Sequence, residues 1–341
     1  MWRQNSKTGL KLKSILSCGR LKLHVCVDVS IIKREGAMIS TCKPMSLMRK
    51  LLLVYNPKSG VQRFQNQLFN VIETFTSAGF FVTTYPTQAS GDIGKIVAEH
   101  ISEFDYLVCS GGDGTINEAI NALMPLEKRP MFGIIPSGTV NDFAASLNIP
   151  KDIVKAAEII TTATPKALDV GHFAGRHFSY VAAFGMFTDV SYTTPQNVKN
   201  LLGKLAYFLE GIKRLAAIES IPCEFMLDDE LIRGDFHIGV IGNAHSIAGF
   251  RLPNEMKVQM DDGFFDVILI QKQNTLKDRQ DVITSLLTQD VKTDLLTIRK
   301  AKKITFTSNE PIAWTLDGDF GGTHTTAKIE NLYHALEVLI P

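Results

Sequence analysis

The sequence predicts two domains of different architecture: an α/β domain with a parallel sheet, followed by a mostly antiparallel β-sandwich domain. Over residues 49–164, short apolar runs alternate with stretches of helical periodicity, which is the pattern of βαβ units. From 165 onward, apolar and polar residues alternate in runs separated by turn residues, as in antiparallel strands. We expect 49–164, joined again by 323–341, to form the α/β domain and 165–322 to form the sandwich.

In the α/β domain, each predicted strand ends in a polar loop that contains glycine. The strands are 51–55, 80–85, 105–109 and 131–135, and the loops after them are 56–60, 87–92, 110–115 and 136–142. Helices are predicted at 64–75, at 92–102 and from 115 onward. Ligands of a parallel sheet collect beyond the carboxyl ends of its strands, and glycine lets the backbone approach a phosphate closely. These loops therefore predict a nucleotide-binding domain.

The third loop, Ser110-Gly111-Gly112-Asp113-Gly114-Thr115, joins a buried strand to a helix. Its glycines and the free N–H groups at the start of the helix would form a phosphate-binding site. Asp113 places a carboxylate beside that site, where it could hold Mg²⁺. Lys58, in the first loop, adds a cation at the end of its strand. Taken alone, the third loop could also be a simple strand-to-helix turn, but the other loops favour the nucleotide site.

The second domain is predicted from runs of alternating residues and two helices. The runs are 166–173, 176–187, 221–228, 231–243, 263–271 and 301–316, and a last strand over 327–340 closes the fold. A helix over 196–218 carries cations beside its apolar face, namely Lys199, Lys204, Lys213 and Arg214. It is either a helix that lies on a sheet or an interfacial membrane helix. A second helix is predicted at 275–287.

Two acidic turns of this domain are candidate sites of chemistry. The first runs from Gln259 to Asp266, and the second from Asp317 to Gly322. Asp-Gly pairs commonly form hairpin turns, which is the simpler interpretation of either turn alone. An Asp with flanking carbonyls can also bind a hard cation, and a pair of carboxylates can supply a general base.

Composition restricts the compartment and the class of partner. The five cysteines form no CxxC pair and no cluster with His at metal spacing, which indicates a reducing compartment and no zinc site. No apolar run reaches the roughly 18 residues of a membrane span. Residues 1–44 hold nine Lys and Arg and two acidic residues, a net charge of +7 against +1 for the whole chain. The remainder is therefore acidic, and we expect no nucleic-acid partner.

Residues 1–44 fit neither predicted domain. Their basic character would suit a presequence. We favour a poorly ordered extension that is not native, because Met48-Arg49-Lys50 leads directly into the first strand and Met45 or Met48 would serve as the start.

Five motifs of the chain are distinctive when taken together: NPKSG (56–60), GGDGTINE (111–118), PSGTVNDFA (136–144), MDDGFFDV (260–267) and LDGDFGG (316–322). They resemble the soluble diacylglycerol kinase catalytic family of bacteria, relatives of eukaryotic diacylglycerol and sphingosine kinases. The resemblance spans 49–341. It implies a NAD kinase/phosphofructokinase-like α/β domain and a β-sandwich, with ATP and acceptor meeting in the cleft between them.

The resemblance also implies the site residues. Matched by motif, the ATP site would comprise Asn56, Pro57, Lys58, Ser59, Gly60, Thr87, Gly112, Asp113, Gly114, Thr115, Ile116, Asn117, Glu118 and Thr139. Mg²⁺ would bind to the side chain of Asp262 and the carbonyls of Gln259 and Phe264, and a second Mg²⁺ would arrive with ATP near Asp113. The proton acceptor falls on Asp319, supported by Asp113 and Asp262. The family pattern has Glu at this position. The shorter Asp319 therefore implies either that the backbone lies closer to the acceptor hydroxyl or that the activity is weak or redirected.

We therefore expect an ATP- and Mg²⁺-dependent lipid kinase that phosphorylates a primary hydroxyl, with diacylglycerol converted to phosphatidic acid as the leading hypothesis. Phosphatidylglycerol and long-chain amino alcohols offer the same hydroxyl, and the sequence does not distinguish them. Such an enzyme would be cytoplasmic and peripheral at the inner face of the membrane; many relatives self-associate, which leaves a homodimer open. The alternatives are a NAD kinase-like enzyme, which would share the glycine turn, and a non-catalytic lipid or nucleotide sensor, which Asp319 in place of Glu would favour.

Overall fold

The computed structural model describes residues 3–4, 11–12, 48–59, 63–185, 220–243, 246–247, 250–251, 259–288, 291 and 293–341. The chain divides into two compact units. The first comprises Met1–Ala144, Asn148–Lys166 and Val338–Pro341, and the second comprises Ala145–Leu147 and Ala167–Glu337. The predicted helix 196–218 and its basic residues Lys199, Lys204, Lys213 and Arg214 lie outside the described residues, as does nearly all of the segment 1–44.

In the first unit, strands and helices alternate along the chain as the sequence predicts. The elements are β1 (Arg49–Tyr55), α1 (Arg63–Ser77), β2 (Phe80–Pro86), α2 (Asp92–His100), β3 (Tyr106–Gly111), α3 (Asp113–Leu123), β4 (Met131–Pro136), α4 (Asp142–Ser146) and α5 (Ile153–Thr162). A 3₁₀ turn, Ile101–Glu103, follows α2, and a two-residue strand pair joins Arg3–Gln4 to Lys11–Leu12. Helices α4 and α5 had no counterpart in the prediction.

The sheet of the first unit is parallel. Its strands lie in the order β4, β3, β1, β2, and each neighbouring pair runs in the same direction. Residues Leu51 to Val54 of β1 are all buried, whichever way their side chains point. A strand buried on both faces is typical of a parallel sheet that helices cover on both sides. The carboxyl ends of β1, β2, β3 and β4 therefore meet at one edge.

The second unit consists mainly of antiparallel strands. They are β5 (Pro165–Phe173), β6 (Arg176–Phe178), β7 (Val181–Gly185), β8 (Ile221–Leu227), β9 (Glu230–Gly242), β10 (Phe265–Gln271), β11 (Leu296–Ala301), β12 (Lys303–Leu316) and β13 (Asp319–Leu339), with α6 (Leu276–Thr288) between β10 and β11. Ser246–Ile247 and Phe250–Arg251 form a further two-residue pair. The last residues of β13, Val338 and Leu339, belong to the first unit and pair in parallel with its strand β4.

Aromatic side chains fill the core of the second unit. Trp314 is fully buried, and its ring lies 4.9 Å from Phe173, 5.0 Å from Phe184 and 5.1 Å from Phe306, measured between centroids. Each such ring removes a large apolar area from water, and tilted or edge-to-face contacts at this distance add further stabilisation. These rings come from β5, β7 and β12, so the core joins strands far apart in the sequence.

One predicted strand of the second unit is divided in the structure. The run 176–187 contains β6 and β7, which are separated at Ser179 and Tyr180. The division has a clear cause, because the carboxylate of Asp317 accepts hydrogen bonds from the backbone N–H groups of these two residues. The run 301–316 corresponds to β12, and the strand β11 before it was not predicted. Within the described part of the chain, no helix is long and apolar enough to cross a bilayer.

Candidate active site

In the first unit, hydrogen bonds between strand-end loops bring the first, second and third loops together. The backbone N–H of Asn56 donates to the carbonyl of Ser110 at 2.9 Å, and that of Thr87 donates to the carbonyl of Tyr55 at 2.9 Å. The side chain of Asn56 turns back to accept from the N–H of Lys58 at 2.9 Å. Lys58 itself is exposed, so its ammonium is available at this edge of the sheet.

The glycine turn leads directly into α3. Gly112 is the N-cap residue and has no side chain that could satisfy the first N–H groups of the helix. Gly111 is required for packing within the turn, because a Cβ there would lie 2.3 Å from Cβ of Thr115. The N-terminus of an 11-residue helix is thus presented beyond the carboxyl end of β3. Uncapped N–H groups and the helix dipole at such a position favour an anion.

The third and fourth loops are joined by their backbones. The carbonyl of Gly111 accepts from Ser137 N at 3.0 Å and from Gly138 N at 3.1 Å, and the hydroxyl of Ser110 donates to that of Ser137 at 3.0 Å. A Cβ on Gly138 would lie only 2.4 Å from the Cα of Gly112. Gly138 therefore serves the contact between the loops, a role that the sequence pattern does not predict.

The predicted site residues on α3 divide between exposed and structural positions. Asp113 Oδ1 accepts from the N–H of Phe143 at 3.1 Å and so links the glycine turn to α4. Ile116 and Asn117 are buried, at 3% and 6% exposure. The carboxylate of Glu118 accepts from the N–H of Ile93, in the first turn of α2, at 2.9 Å. Of the predicted ATP-site residues that the structure describes, which leave out Gly60, the exposed ones are Lys58, Gly114 and Thr139.

In the second unit, Lys300 neutralises the first acidic turn. Its ammonium lies 2.6 Å from Asp262 Oδ2 and 3.9 Å from Asp266 Oδ1. The other oxygen of Asp262 accepts from the N–H of Phe264 at 3.0 Å. Asp266 is almost fully buried, and its Oδ1 has no hydrogen-bond partner among the described residues. Burial raises the pKa of Asp266 to about 6, which the charge of Lys300 opposes and that of Asp262 increases.

Asp169 of β5 fastens this turn to β13. Its carboxylate accepts from the N–H of Gly263 at 2.6 Å and from that of His334 at 2.9 Å. Both of these residues have positive φ, 77° for Gly263 and 51° for His334. Burial raises the pKa of Asp169, and the two backbone N–H groups oppose that rise. The acidic turn is therefore held by a carboxylate that lies about 90 residues earlier in the sequence.

The second acidic turn places Asp319 at the beginning of β13. Asp317 and Gly318 have φ of 52° and 90°, so they form a two-residue hairpin turn between Leu316 and Asp319. The buried carboxylate of Asp317 accepts from Ser179 N at 2.6 Å, Ser179 Oγ at 2.7 Å and the N–H groups of Tyr180 and Val181 at 3.0 Å each. Burial raises the pKa of Asp317, and these donors oppose the rise. The next carboxylate, that of Asp319, is exposed.

The comparison with known proteins agrees with this geometry. The sequence model of the diacylglycerol kinase catalytic domain matches residues 50–173. A diacylglycerol kinase of Bacillus subtilis is 33% identical over 298 residues, which cover 86% of this chain and 97% of that protein. The chain belongs to the diacylglycerol kinase family.

Further relatives and solved structures of the family extend over the same part of the chain. A diacylglycerol kinase of Staphylococcus saprophyticus is 33% identical over 297 residues, with 86% of this chain and 96% of that protein covered. The crystal structure of a diacylglycerol kinase from Bacillus anthracis str. Sterne has a TM-score of 0.68 at 26% identity, covering 86% of this chain and 98% of that one. A second crystal structure from that strain has a TM-score of 0.74 at 28% identity, covering 86% and 97%.

In this member of the family, motif matching found the loops but missed the residues that hold them. Ser137, Asn141, Asp169 and Lys300 bond to predicted site residues or their neighbours. Asp317 fixes the turn before Asp319 through its bonds to Ser179, Tyr180 and Val181. Positive φ at Asn141 and Asp317 could have been suspected, because Asn and Asp tolerate the left-handed region. No sequence signal connects Lys300 with Asp262, since their contact depends on the pairing of β10 with β11.

The predicted Mg²⁺ ligands provide donors that suit this ion. One carboxylate, Asp262, and main-chain carbonyls of the same turn are the hard oxygen ligands that Mg²⁺ and Ca²⁺ prefer. The buried Oδ1 of Asp266 makes no hydrogen bond to the described residues, and Lys300 Nζ lies 3.9 Å from it. Lys300 Nζ lies beside both carboxylates, so a bound divalent ion would compete with this ammonium. Among the described residues, no group of three or more His, Cys, Asp and Glu side chains could hold a metal by itself.

Proposed function

We propose that this chain is an ATP- and Mg²⁺-dependent lipid kinase that transfers the γ-phosphoryl group of ATP to the primary hydroxyl of diacylglycerol, giving ADP and phosphatidic acid. In this proposal the first unit binds ATP, and the second, as a β-sandwich, carries the acceptor residues. The enzyme would meet its lipid at a membrane surface.

The observation that carries phosphoryl transfer is the contact between the two glycine loops at the N-terminus of α3. Phosphoryl transfer asks the protein mainly to position the phosphates and to neutralise their charge. The uncapped helix start after Gly112 favours an anion, and the exposed Lys58 at the same sheet edge adds a cation. Mg²⁺, when bound, would supply further positive charge beside the phosphates. The relatives are named diacylglycerol kinases, which supports diacylglycerol as the acceptor.

Asp319 is the residue we assign as general base. A lipid hydroxyl has a pKa far above 7, so a carboxylate that accepts its proton as the new O–P bond forms contributes on the order of 10²–10⁴-fold to the rate. The proton passes to Asp319, the hydroxyl oxygen bonds to the γ-phosphorus, and the bond from that phosphorus to the β–γ bridging oxygen breaks. The Asp317-Gly318 turn holds Asp319 at an exposed position, as this role requires.

The test measures transfer of label from γ-labelled ATP, with Mg²⁺, to diacylglycerol in mixed micelles and, separately, to NAD. We expect label in the organic phase, and loss of about 10²-fold or more in kcat for Asp319→Asn. Asp229→Asn, at an exposed position of the β8–β9 turn, is the matched control and should keep full turnover. Label on NAD would contradict the proposal, and binding of ATP without transfer to any lipid would favour a sensor. Asp319→Glu then distinguishes a weakened base from an absent acceptor.

A further inference from the structure

Asn141, in the loop between β4 and α4, has an uncommon backbone conformation. Its φ is 58°, in the left-handed region, and only 7% of the residue is exposed. This region costs a residue with a Cβ about 1 kcal/mol or more, so a buried non-glycine residue there requires compensating interactions. The chain provides a close comparison at Asn148, whose φ is 57° but whose side chain is exposed and makes no hydrogen bond to the described residues.

The side chain of Asn141 supplies that compensation by bonding twice to one residue. Its Nδ2 donates to the carbonyl of Gly138 at 2.8 Å, and its Oδ1 accepts from the N–H of the same residue at 2.9 Å. Both polar groups of the Gly138 backbone are therefore fixed by a single planar amide. No other side chain of similar size offers a donor and an acceptor in this arrangement.

The fixed residue is the one that contacts the glycine turn. The N–H of Gly138 is shared between Asn141 Oδ1 and the carbonyl of Gly111, at 2.9 Å and 3.1 Å. Because this N–H group already has two acceptors, it is a poor candidate for binding a phosphate. The backbone of Gly138 instead lies against Gly112, the N-cap of α3, so closely that a Cβ would meet the Cα of Gly112 at 2.4 Å.

We propose that Asn141 is a positioning residue of the nucleotide site. Its amide holds the loop 136–142 in the one shape in which Gly138 fits against Gly112, so that exposed Thr139 and the N-terminus of α3 face the nucleotide as one rigid surface. Without the amide, the loop has to be ordered when ATP binds, and the cost appears in the affinity for ATP. The inference depends on the proposed function only in naming ATP as the nucleotide.

The experiment compares the two left-handed asparagines. Asn141→Gly and Asn148→Gly both relieve the unfavourable φ, but only the first removes hydrogen bonds. Asn141→Asp, which is isosteric, keeps an oxygen for the N–H of Gly138 but places a second oxygen against its carbonyl; Asn148→Asp is its control. For each protein we would measure the dissociation constant of ATP by displacement of a fluorescent ATP analogue, KM for ATP, KM for the lipid, kcat and the melting temperature.

We expect both Asn141 variants to weaken ATP binding by about tenfold or more, with KM for the lipid unchanged and Asn148 variants equal to the original chain. Should Asn141→Gly fail to fold, the isosteric Asn141→Asp carries the test. Equal ATP affinity in the folded Asn141 variants, or equal increases in KM for ATP and lipid, would overturn the inference. An original chain that binds ATP but does not phosphorylate diacylglycerol would contradict the proposed function alone, because the binding comparison still decides the role of Asn141.

Discussion

The carboxylate of Glu118 on α3 accepts a hydrogen bond from the backbone N–H of Ile93 in the first turn of α2, at 2.9 Å. The N-cap of α2 is Gly91, which has no side chain to perform this function. The carboxylate of Asp92, the first residue of α2, instead accepts from the N–H groups of Gln88 and Ala89 in the loop before the helix. The second strand-end loop is therefore closed by Asp92 and tied to α3 by Glu118.

Replacement of Glu118 should weaken the first unit through this helix end. Glu118→Ala leaves the N–H of Ile93 without its acceptor, and we expect the free energy of unfolding to fall by about 1–2 kcal/mol, as for the loss of a helix cap. Glu118→Gln keeps an oxygen at the same place and should lose less than half as much. Urea titration of both variants checks this, with the exposed Glu127→Ala as control. Equal midpoints for Glu118→Ala and the control would contradict the capping role.

Glycines of the first unit should respond to an added methyl group according to their surroundings. Gly138→Ala places a Cβ 2.4 Å from the Cα of Gly112, so the two loops have to separate. We expect at least about a tenfold loss of ATP affinity and a lower melting temperature, since backbone atoms are costly to displace. Gly94→Ala, in α2 with open space around the new Cβ, should instead stabilise by about 0.5–1 kcal/mol. The prediction fails if both variants bind ATP as the original chain does.

The strands and helices that have a regular hydrophobic pattern could be predicted from the sequence. The apolar run of β1 and the helical spacing after Thr115 led to the right elements, because burial on both faces and amphipathic helices leave clear traces in the sequence. The division between β6 and β7 left no such trace. It depends on Asp317, which lies 138 residues from Ser179, and pairing over that distance is not encoded in any short stretch.

The candidate site could also be predicted only where short sequence motifs determine it. Motifs located the glycine turn and both acidic turns, because glycine and Asp are required there by the backbone and the charge. The motifs predict that the glycines of these loops approach a phosphate, but they do not predict that the backbone of Gly138 packs against that of Gly112. Which atoms a glycine faces depends on how β3 pairs with β4, and that register is a property of the folded sheet.

Asp317 should be one of the most sensitive residues of the second unit. Asp317→Ala removes the acceptor of three backbone N–H groups and one hydroxyl, and places alanine at φ 52°. We expect a loss of about 3 kcal/mol or more in the free energy of unfolding, and loss of turnover because the turn also places Asp319. Asp228→Ala, at φ 49° in an exposed hairpin turn, also removes the acceptor of two backbone N–H groups, those of Lys302 and Lys303, and should cost less because this site is exposed. Equal losses would show that the burial of Asp317 adds nothing to its contribution.

His237 should make the stability of the second unit dependent on pH. Burial lowers its pKa below the ordinary 6.5, the nearby Lys272 and Arg279 lower it further, and the hydrogen bond with Gln273 opposes the shift. Because the unfolded chain then binds the proton more readily, the stability from neutral His237 is present above about pH 6.5 and is lost as the pH falls towards the folded-state pKa.

His237→Gln removes this titration, so its free energy of unfolding should fall less between about pH 7.5 and about pH 5.5 than that of the original chain. Urea titrations of both proteins at both pH values provide the measurement. The same loss of stability in His237→Gln as in the original chain would exclude this histidine as the cause.

Lys300 should determine how strongly the first acidic turn responds to Mg²⁺. Its ammonium lies 2.6 Å from Asp262 and 3.9 Å from Asp266, so Lys300→Met leaves two close carboxylates without their cation. The charge of Asp262 already raises the pKa of Asp266, so the two carboxylates repel each other, and a divalent ion bound to Asp262 would relieve the repulsion. We therefore expect Lys300→Met to lower the melting temperature in EDTA, and millimolar Mg²⁺ to raise it by at least about 3 °C more than in the original chain. Lys300→Arg keeps the charge and should respond as the original chain does. If Mg²⁺ shifts all three proteins equally, the ion binds away from this turn, and the assignment of Asp262 as its ligand is wrong.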